Sequence, residues 1–113
     1  MSTLFTKIIN GEIPGEFVKR TDELVAIQDI DPKAPTHVLI IPVREIPTPN
    51  DLKPGDAELV GKMVLMARDI AKERGFAEDG YRLVLNCNEH GGQSVPHIHL
   101  HLLGGRQMNW PPG

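Results

Sequence analysis

The spacing of apolar residues divides the first half of the chain into one helix and three strands. Leu4, Phe5, Ile8 and Ile9 recur at helical intervals and Gly11 follows them, which predicts a short first helix. Apolar runs at 16–20 and 24–30, separated by a Thr-Asp turn, predict a β-hairpin. The β-branched run at 37–43 is long and apolar enough for a buried strand.

The second half of the chain predicts one long helix and two strands. Asp56 is expected to cap the helix and Gly75 to end it. The apolar residues between them share one helical face: Leu59, Val60, Met63, Met66, Ala67, Ile70 and Ala71. Alternating runs at 81–87 and 97–103 predict the two strands.

The connecting segments indicate the fold class. Residues 44–56 carry three prolines and residues 88–94 are rich in glycine, so both are predicted to be loops. Short connections favour antiparallel pairing of the strands. The chain is therefore expected to form one α+β domain over residues 1–113.

Charge and cysteine content exclude several classes of protein. The net charge is −3, with no basic stripe of the kind a nucleic-acid-binding protein carries. The single cysteine, Cys87, allows no internal disulfide and fits a reducing compartment. The sequence shows no secretory leader and no apolar run near the ~20 residues of a membrane span. We expect a cytoplasmic protein with no membrane or nucleic-acid partner.

Three of the five histidines stand at alternate positions of the last predicted strand. Side chains along a strand alternate between its faces, so His97, His99 and His101 share one face. Ile98, Leu100 and Leu102 occupy the other face and are expected to join the core.

This row of imidazoles has three interpretations. It is an ordinary half-exposed strand, a metal site completed by His37, His90 or Cys87, or a site for phosphate chemistry. A neutral imidazole can attack phosphorus, a second can supply a proton, and glycine-loop amides can bind phosphate oxygens. The chain places all three parts together, which favours the third interpretation. It requires an accessible middle ring, and a His99 closed off from solvent would exclude it.

The segment "HIHLHLL" matches the pattern of the histidine triad (HIT) family, and the chain resembles its hint branch, the histidine triad nucleotide-binding proteins. "KIINGEIP", "DIDPKAPTHVLIIP", "YRLVLNCNEHGGQS" and "GGRQMNWPPG" extend the resemblance over nearly the whole chain. It implies a five-stranded antiparallel sheet with two helices, and a homodimer with a continuous ten-stranded sheet. The implied activity is hydrolysis of purine nucleoside 5′-phosphoramidates through a nucleotidyl-histidine, with no metal or cofactor.

Two other functions stay open. The chain could be a nucleotide-binding module with incidental hydrolysis. It could also be a dinucleoside polyphosphate hydrolase or nucleotidyl transferase of the same superfamily.

The resemblance also assigns roles to the histidines. His99 is the implied nucleophile, with its other ring nitrogen donating to a nearby carbonyl, that of His97. His101 contacts the phosphate and assists proton delivery to the amine, while His97 supports the row. His37 corresponds to a fourth histidine behind the triad, or has structural hydrogen bonds only. Activity is expected to fall as His99 protonates, near its unperturbed pKa of ~6.5.

Further positions match the family's nucleotide site. Ser94 matches a donor to a phosphate oxygen or the leaving group, Gly92 and Gln93 line the phosphate pocket, and Asn86 reaches the phosphate or ribose. Asp29 and Ile30 match the pair around the ribose. Asn86 and Asp29 could instead be turn residues at strand ends. Trp110 matches a tryptophan that approaches the partner's pocket, or belongs to a tail without regular structure.

Two departures from the family are visible. Some members carry a Cys-x-x-Cys pair that helps bind structural zinc, and here Thr3 and Thr6 stand in its place, so no zinc is expected there. Pro96 replaces an aromatic residue common in relatives and lacks an N–H to donate. This leaves the preference for the leaving group open. Cys87 is expected to fill space at a strand end.

Overall fold

The computed structural model describes residues 2–113 and contains a five-stranded antiparallel sheet with three helices. The elements are α1 (Leu4–Ile9), β1 (Phe17–Arg20), β2 (Leu24–Gln28), β3 (Thr36–Pro42), α2 (Ala57–Arg74), β4 (Tyr81–Leu85), α3 (Asn88–Gly91) and β5 (Leu100–Gly104). The strands lie in the order β1-β2-β3-β5-β4, and every neighbouring pair is antiparallel. This confirms the predicted α+β class.

Helix α2 covers one face of the sheet. Its buried residues are Met63, Met66, Ala67, Ile70 and Ala71. They pack on the even-numbered positions of β3 and β5, including Val38, Ile40, Leu100 and Leu102. Ile98 joins the same cluster, so the expected apolar back of the histidine row is confirmed.

The short helix α1 covers the opposite face. Phe5, Ile8 and Ile9 pack on Val25, Ile27, Leu39 and Ile41, the odd-numbered positions of β2 and β3. His101 pairs with Leu39 across β3 and β5, so its side chain belongs to this face. The sheet therefore separates a predominantly apolar layer under α2 from a layer under α1 that includes the imidazoles.

Several predictions differ from the structure in detail. Strands β2 and β4 each end two residues before the predicted end, at Gln28 and Leu85. Strand β5 begins at Leu100 rather than His97, because the N–H of Ile98 donates to the carbonyl of Ile46 outside the sheet. The glycine-rich loop contains one helical turn, α3. Asp56 occupies the predicted N-cap position of α2, but its carboxylate makes no capping hydrogen bond, since it is taken by the N–H of Lys53 and by Arg44.

The proline-rich segment before α2 is more regular than predicted, with 3-10 turns at Pro49–Asp51 and Pro54–Asp56. None of the helices in residues 2–113 combines the length and the apolar character needed to cross a membrane.

Gly104 tests how tightly β5 is held against the end of α2. A Cβ atom there would lie 2.3 Å from Cε1 of Phe76, a ring that is itself buried. We expect Gly104→Ala to lower the free energy of unfolding by about 1–3 kcal/mol through overpacking. Urea denaturation measures this. Gly55→Ala is the control, since nothing lies within 4 Å of its added Cβ. Equal stability of the two variants would contradict the packing described.

Candidate active site

The ring of His97 is held at both nitrogens. Nε2 lies 2.7 Å from the carbonyl oxygen of Pro42, and Nδ1 lies 2.7 Å from Oγ1 of Thr3. A carbonyl only accepts hydrogen bonds, so the hydrogen of neutral His97 is on Nε2. Nδ1 then accepts from the Thr3 hydroxyl. With none of its surface exposed, His97 is a fixed support for the row.

The neighbouring ring of His99 takes the opposite tautomer. Its Nδ1 lies 2.8 Å from the backbone carbonyl oxygen of His97, so the hydrogen of neutral His99 is on Nδ1. This is the contact expected from the family resemblance. The lone pair is therefore on Nε2, the nitrogen needed for attack on phosphorus.

The expectation of an open middle ring is wrong for most of the His99 side chain. It is only 4% exposed, because Phe5 of α1 packs edge-on with its ring centroid 4.9 Å away. Within residues 2–113, however, Nε2 has no hydrogen-bond partner, and every side-chain N or O atom shielded from solvent has one. Nε2 is therefore the part of the ring that solvent reaches.

His37 and His101 form a second chain of imidazoles. The N–H of Lys33 donates to Nδ1 of His37 over 3.1 Å, so the hydrogen of neutral His37 is on Nε2. That nitrogen lies 2.9 Å from Nδ1 of His101, which must accept. The hydrogen of neutral His101 is thus on Nε2, and its ring lies 5.0 Å from that of His99. The cluster combines one imidazole lone pair with one neighbouring imidazole N–H.

Burial keeps these histidines neutral. It lowers the pKa of His97 and of His99 below the ordinary value. It also lowers the pKa of His101 to about 4, with His99 and His37 adding to the effect. The pKa of His37 is likewise lowered by burial, against the pull of Asp29. The acid limb of any reaction that needs neutral His99 is therefore expected below pH ~6.5 rather than at it.

The row of histidines does not converge on a metal ion. His97 has both nitrogens engaged, and His90 and Cys87 are not grouped with the row. In residues 2–113 the one group of metal-type ligands is Asp29, His37 and His101, with atoms within 4.8 Å of one another. Two of those nitrogens already share a hydrogen bond, and a metal would have to displace it.

The glycine-rich loop at residues 88–94 offers fewer donors to phosphate than predicted. Ser94 is exposed and its hydroxyl has no partner in residues 2–113, so it is free to donate to a ligand. The N–H groups of Gly92 and Gln93 donate to the carbonyls of Glu89 and Asn88. They end α3, so they are not available for phosphate oxygens.

The amide of Gln93 braces the loop beside a cavity that Gln93 lines together with Gly92 and Ser94. Its Nε2 donates to the carbonyls of Pro47 and Val95, and its Oε1 accepts from the N–H of Asn88. Both hydrogens of the amide nitrogen are therefore engaged within the protein, and the contact of Gln93 with phosphate stays a prediction.

The ribose candidates lie beside the second imidazole chain. Oδ1 of Asp29 accepts from the N–H of Asp31, and Oδ2 lies 3.4 Å from Nε2 of His37. Ile30 is fully exposed and Asn86 is half-buried. Val84 pairs with His101, so Asn86, two residues further, continues on the imidazole face.

Sequence reasoning missed the groups that hold the histidine rings in place. They are the N–H of Lys33, the carbonyl of Pro42, the hydroxyl of Thr3 and the ring of Phe5. Two are backbone groups, which no side-chain motif can indicate. In the sequence, Thr3 stands out only as a position without a zinc ligand.

Comparisons with known proteins agree with this geometry. Residues 10–108 match the family model described as HIT domain. A purine nucleoside phosphoramidase of Escherichia coli (strain K12) is 53% identical over 106 residues, covering 94% of this chain and 89% of the relative. A 14 kDa zinc-binding protein of Zea mays is 49% identical over 113 residues, covering 98% of this chain and 88% of the relative.

Solved structures give the same result. A HIT family hydrolase from Legionella pneumophila Philadelphia 1 has a TM-score of 0.97 and 53% identity, covering 99% of this chain and 100% of that chain. A histidine triad protein from Clostridium difficile has a TM-score of 0.92 and 37% identity, covering 96% and 95%. The chain belongs to the HIT domain family.

The buried neutral histidines predict a loss of stability in mild acid. Each lowered pKa means that the unfolded chain binds a proton at a pH where the folded protein does not. The free energy of unfolding therefore falls as pH drops below ~6.5. We expect His101→Gln to reduce the slope between pH 7 and pH 5, since its own pKa is about 4. Urea denaturation at several pH values measures it. The control is the exposed His90→Gln, and a His101→Gln slope equal to that of His90→Gln would contradict the assignment.

Proposed function

We propose that the chain hydrolyses purine nucleoside 5′-phosphoramidates, the class of substrate stated in the name of its Escherichia coli relative. One observation carries the proposal: the hydrogen bond from Nδ1 of His99 to the carbonyl of His97, which leaves the lone pair on Nε2. Residues 1–113 act as one HIT domain, need no metal or cofactor, and work in the cytoplasm.

In the first step, Nε2 of His99 attacks the α-phosphorus in line with the P–N bond. One N–P bond forms and the substrate's P–N bond breaks, so the departing nitrogen needs one proton. This proton comes from solvent, while Nε2–H of neutral His101, whose other nitrogen is engaged with His37, donates a hydrogen bond to the phosphoryl group or the departing nitrogen. The attack leaves the His99 ring positively charged and His101 neutral. The products are a free amine and a nucleotidyl-histidine.

In the second step, water attacks the same phosphorus. The water releases a proton to solvent, and the phosphorus–nitrogen bond to His99 breaks. AMP or GMP leaves, and the ring of His99 returns to its neutral starting tautomer with the lone pair on Nε2. The hydrogen bond to the His97 carbonyl persists through both steps, so the ring of His99 need not turn between them.

The nucleotide is held by groups on the same face. The hydroxyl of Ser94 donates to a phosphate oxygen or to the leaving amine, and Asn86 reaches the phosphate or ribose side. Asp29 accepts from the ribose hydroxyls, with 18% of its side chain exposed, and Ile30 covers the sugar and base. These contacts hold the phosphorus beside Nε2 of His99, the one imidazole nitrogen of the row with a free lone pair.

Substitution of the nucleophile tests the proposal. We expect His99→Ala to lower turnover of adenosine 5′-phosphoramidate by at least about 10³-fold, because no other group in the row can replace its lone pair. Rapid quenching of the unsubstituted protein should trap a nucleotidylated histidine. The matched control is His90→Ala, an exposed histidine on α3, which should keep full turnover. Unchanged turnover by His99→Ala would overturn the proposal.

The same assay separates the alternatives. A binding module would bind AMP but release no amine above the His99→Ala background. A dinucleoside polyphosphate hydrolase would turn over diadenosine polyphosphates faster than the phosphoramidate.

The proposal includes a homodimer. Strand β4 lies at an edge of the sheet, where its free hydrogen-bonding side can pair with a second β4 and extend the sheet to ten strands. On α2, Val64 is 42% exposed, an apolar side chain that a second copy would cover in the proposed dimer. Trp110, 83% exposed, follows Asn109, whose carbonyl accepts from Arg82 of β4. In the dimer this tryptophan approaches the partner's site.

Molar mass measured by light scattering checks the dimer. We expect twice the mass of one chain, and a shift toward the monomer for Val64→Asp, because a carboxylate would be buried at the interface. Glu78→Asp, which keeps an exposed charge at a position outside α2, is the control. A monomeric parent protein at micromolar concentration would contradict this part of the proposal.

A further inference from the structure

The first turn of α1 forms a hydrogen-bond network behind the histidine row. The hydroxyl of Thr3 accepts from the N–H of Thr6 over 3.1 Å, which caps α1, and lies 2.7 Å from Nδ1 of His97. Since His97 holds its hydrogen on Nε2 toward Pro42, the hydroxyl hydrogen of Thr3 points to His97. One hydroxyl therefore serves both the helix and the triad.

Glu45 holds this turn in place from the loop after β3. Its Oε1 accepts from the N–H of Thr3 over 2.9 Å and from the hydroxyl of Thr6 over 2.5 Å. A carboxylate at a helix N-terminus is also favoured by the helix dipole. These hydrogen bonds keep the pKa of Glu45 below its usual value, so the carboxylate is charged at neutral pH.

We propose that Thr3 and Glu45 are positioning residues for the nucleophile. Glu45 fixes Thr3, Thr3 fixes the ring of His97, and the carbonyl of His97 fixes the tautomer of His99. Phe5, on the same helix, packs edge-on against both rings, at centroid distances of 5.8 and 4.9 Å. Helix α1 thus aligns the lone pair of His99 through the residues behind the row. The inference rests on the proposed function for its kinetic part only.

Thr3→Val is the direct variant, because it keeps the side-chain shape and removes the donor to His97. We expect the single-turnover rate of nucleotidylation to fall about 10-fold with KM nearly unchanged, since a small misplacement of the nucleophile affects chemistry rather than binding. Glu45→Ala should lower the rate in the same direction. Thr3→Ser should restore it, because the hydroxyl returns.

A spectroscopic measurement separates positioning from loss of structure. Ring-nitrogen NMR of the ligand-free protein should show single tautomers for His97 and His99, and a changed Nδ1 signal of His97 in Thr3→Val and Glu45→Ala because its donor is lost or displaced. Lys7→Gly is the control: it weakens α1 in an exposed position, and the tautomers and the rate should stay as in the parent protein.

Each outcome decides one question. A parental Nδ1 signal of His97 and a parental rate in both Thr3→Val and Glu45→Ala would overturn the inference, and if Thr3→Val fails to fold, Glu45→Ala decides alone. Loss of rate in Lys7→Gly equal to that in Thr3→Val would also overturn it, because helix stability would then explain the effect. If the parent protein shows no turnover, the proposed function fails while the ring-nitrogen spectra still test the network.

Discussion

The site depends on a hydrogen bond between residues two positions apart, from Nδ1 of His99 to the carbonyl of His97. In a regular strand that carbonyl would pair with a neighbouring strand and be engaged there. Here β5 starts only at Leu100, and the N–H of Ile98 is drawn to the carbonyl of Ile46. The irregular stretch before β5 is therefore what frees the carbonyl. Giving up three residues of sheet sets the tautomer of the nucleophile.

Several imidazoles can be buried side by side at low energetic cost only when they are neutral and each nitrogen is hydrogen-bonded or in contact with solvent. The structure meets this condition with backbone groups: a carbonyl for His97, a carbonyl for His99 and an N–H for His37. No shielded side-chain N or O atom in residues 2–113 is left unpaired. The same burial that lowers the pKa values keeps the row from becoming a cluster of charges. Burial thus both prevents repulsion between charged histidines and keeps His99 in the neutral form that the proposed attack on phosphorus needs.

The spacing of apolar residues predicted α1, α2, the strands and the shared face of the triad, because burial on one side imposes the helical repeat on a helix and alternation on a strand. It failed where polar groups make local hydrogen bonds. The Asp56 carboxylate bonds to Lys53 and Arg44 instead of capping α2, and the Gln93 amide braces its own loop. Those choices depend on partners distant in sequence or on backbone atoms. The position of His99 on its face was predictable, whereas its coverage by Phe5 depends on the docking of α1.

The order of strands in the sheet also bears on how the chain is made. Strand β5 is the last of the five strands along the chain, yet it lies between β3 and β4. On the ribosome, the first four strands therefore have no native pairing between β3 and β4. The gap closes only when residues 100–104 have left the exit tunnel. A partly made chain lacks both the strand that joins β4 to the rest of the sheet and the histidine row, so the proposed nucleotide site forms only after β5 is in place.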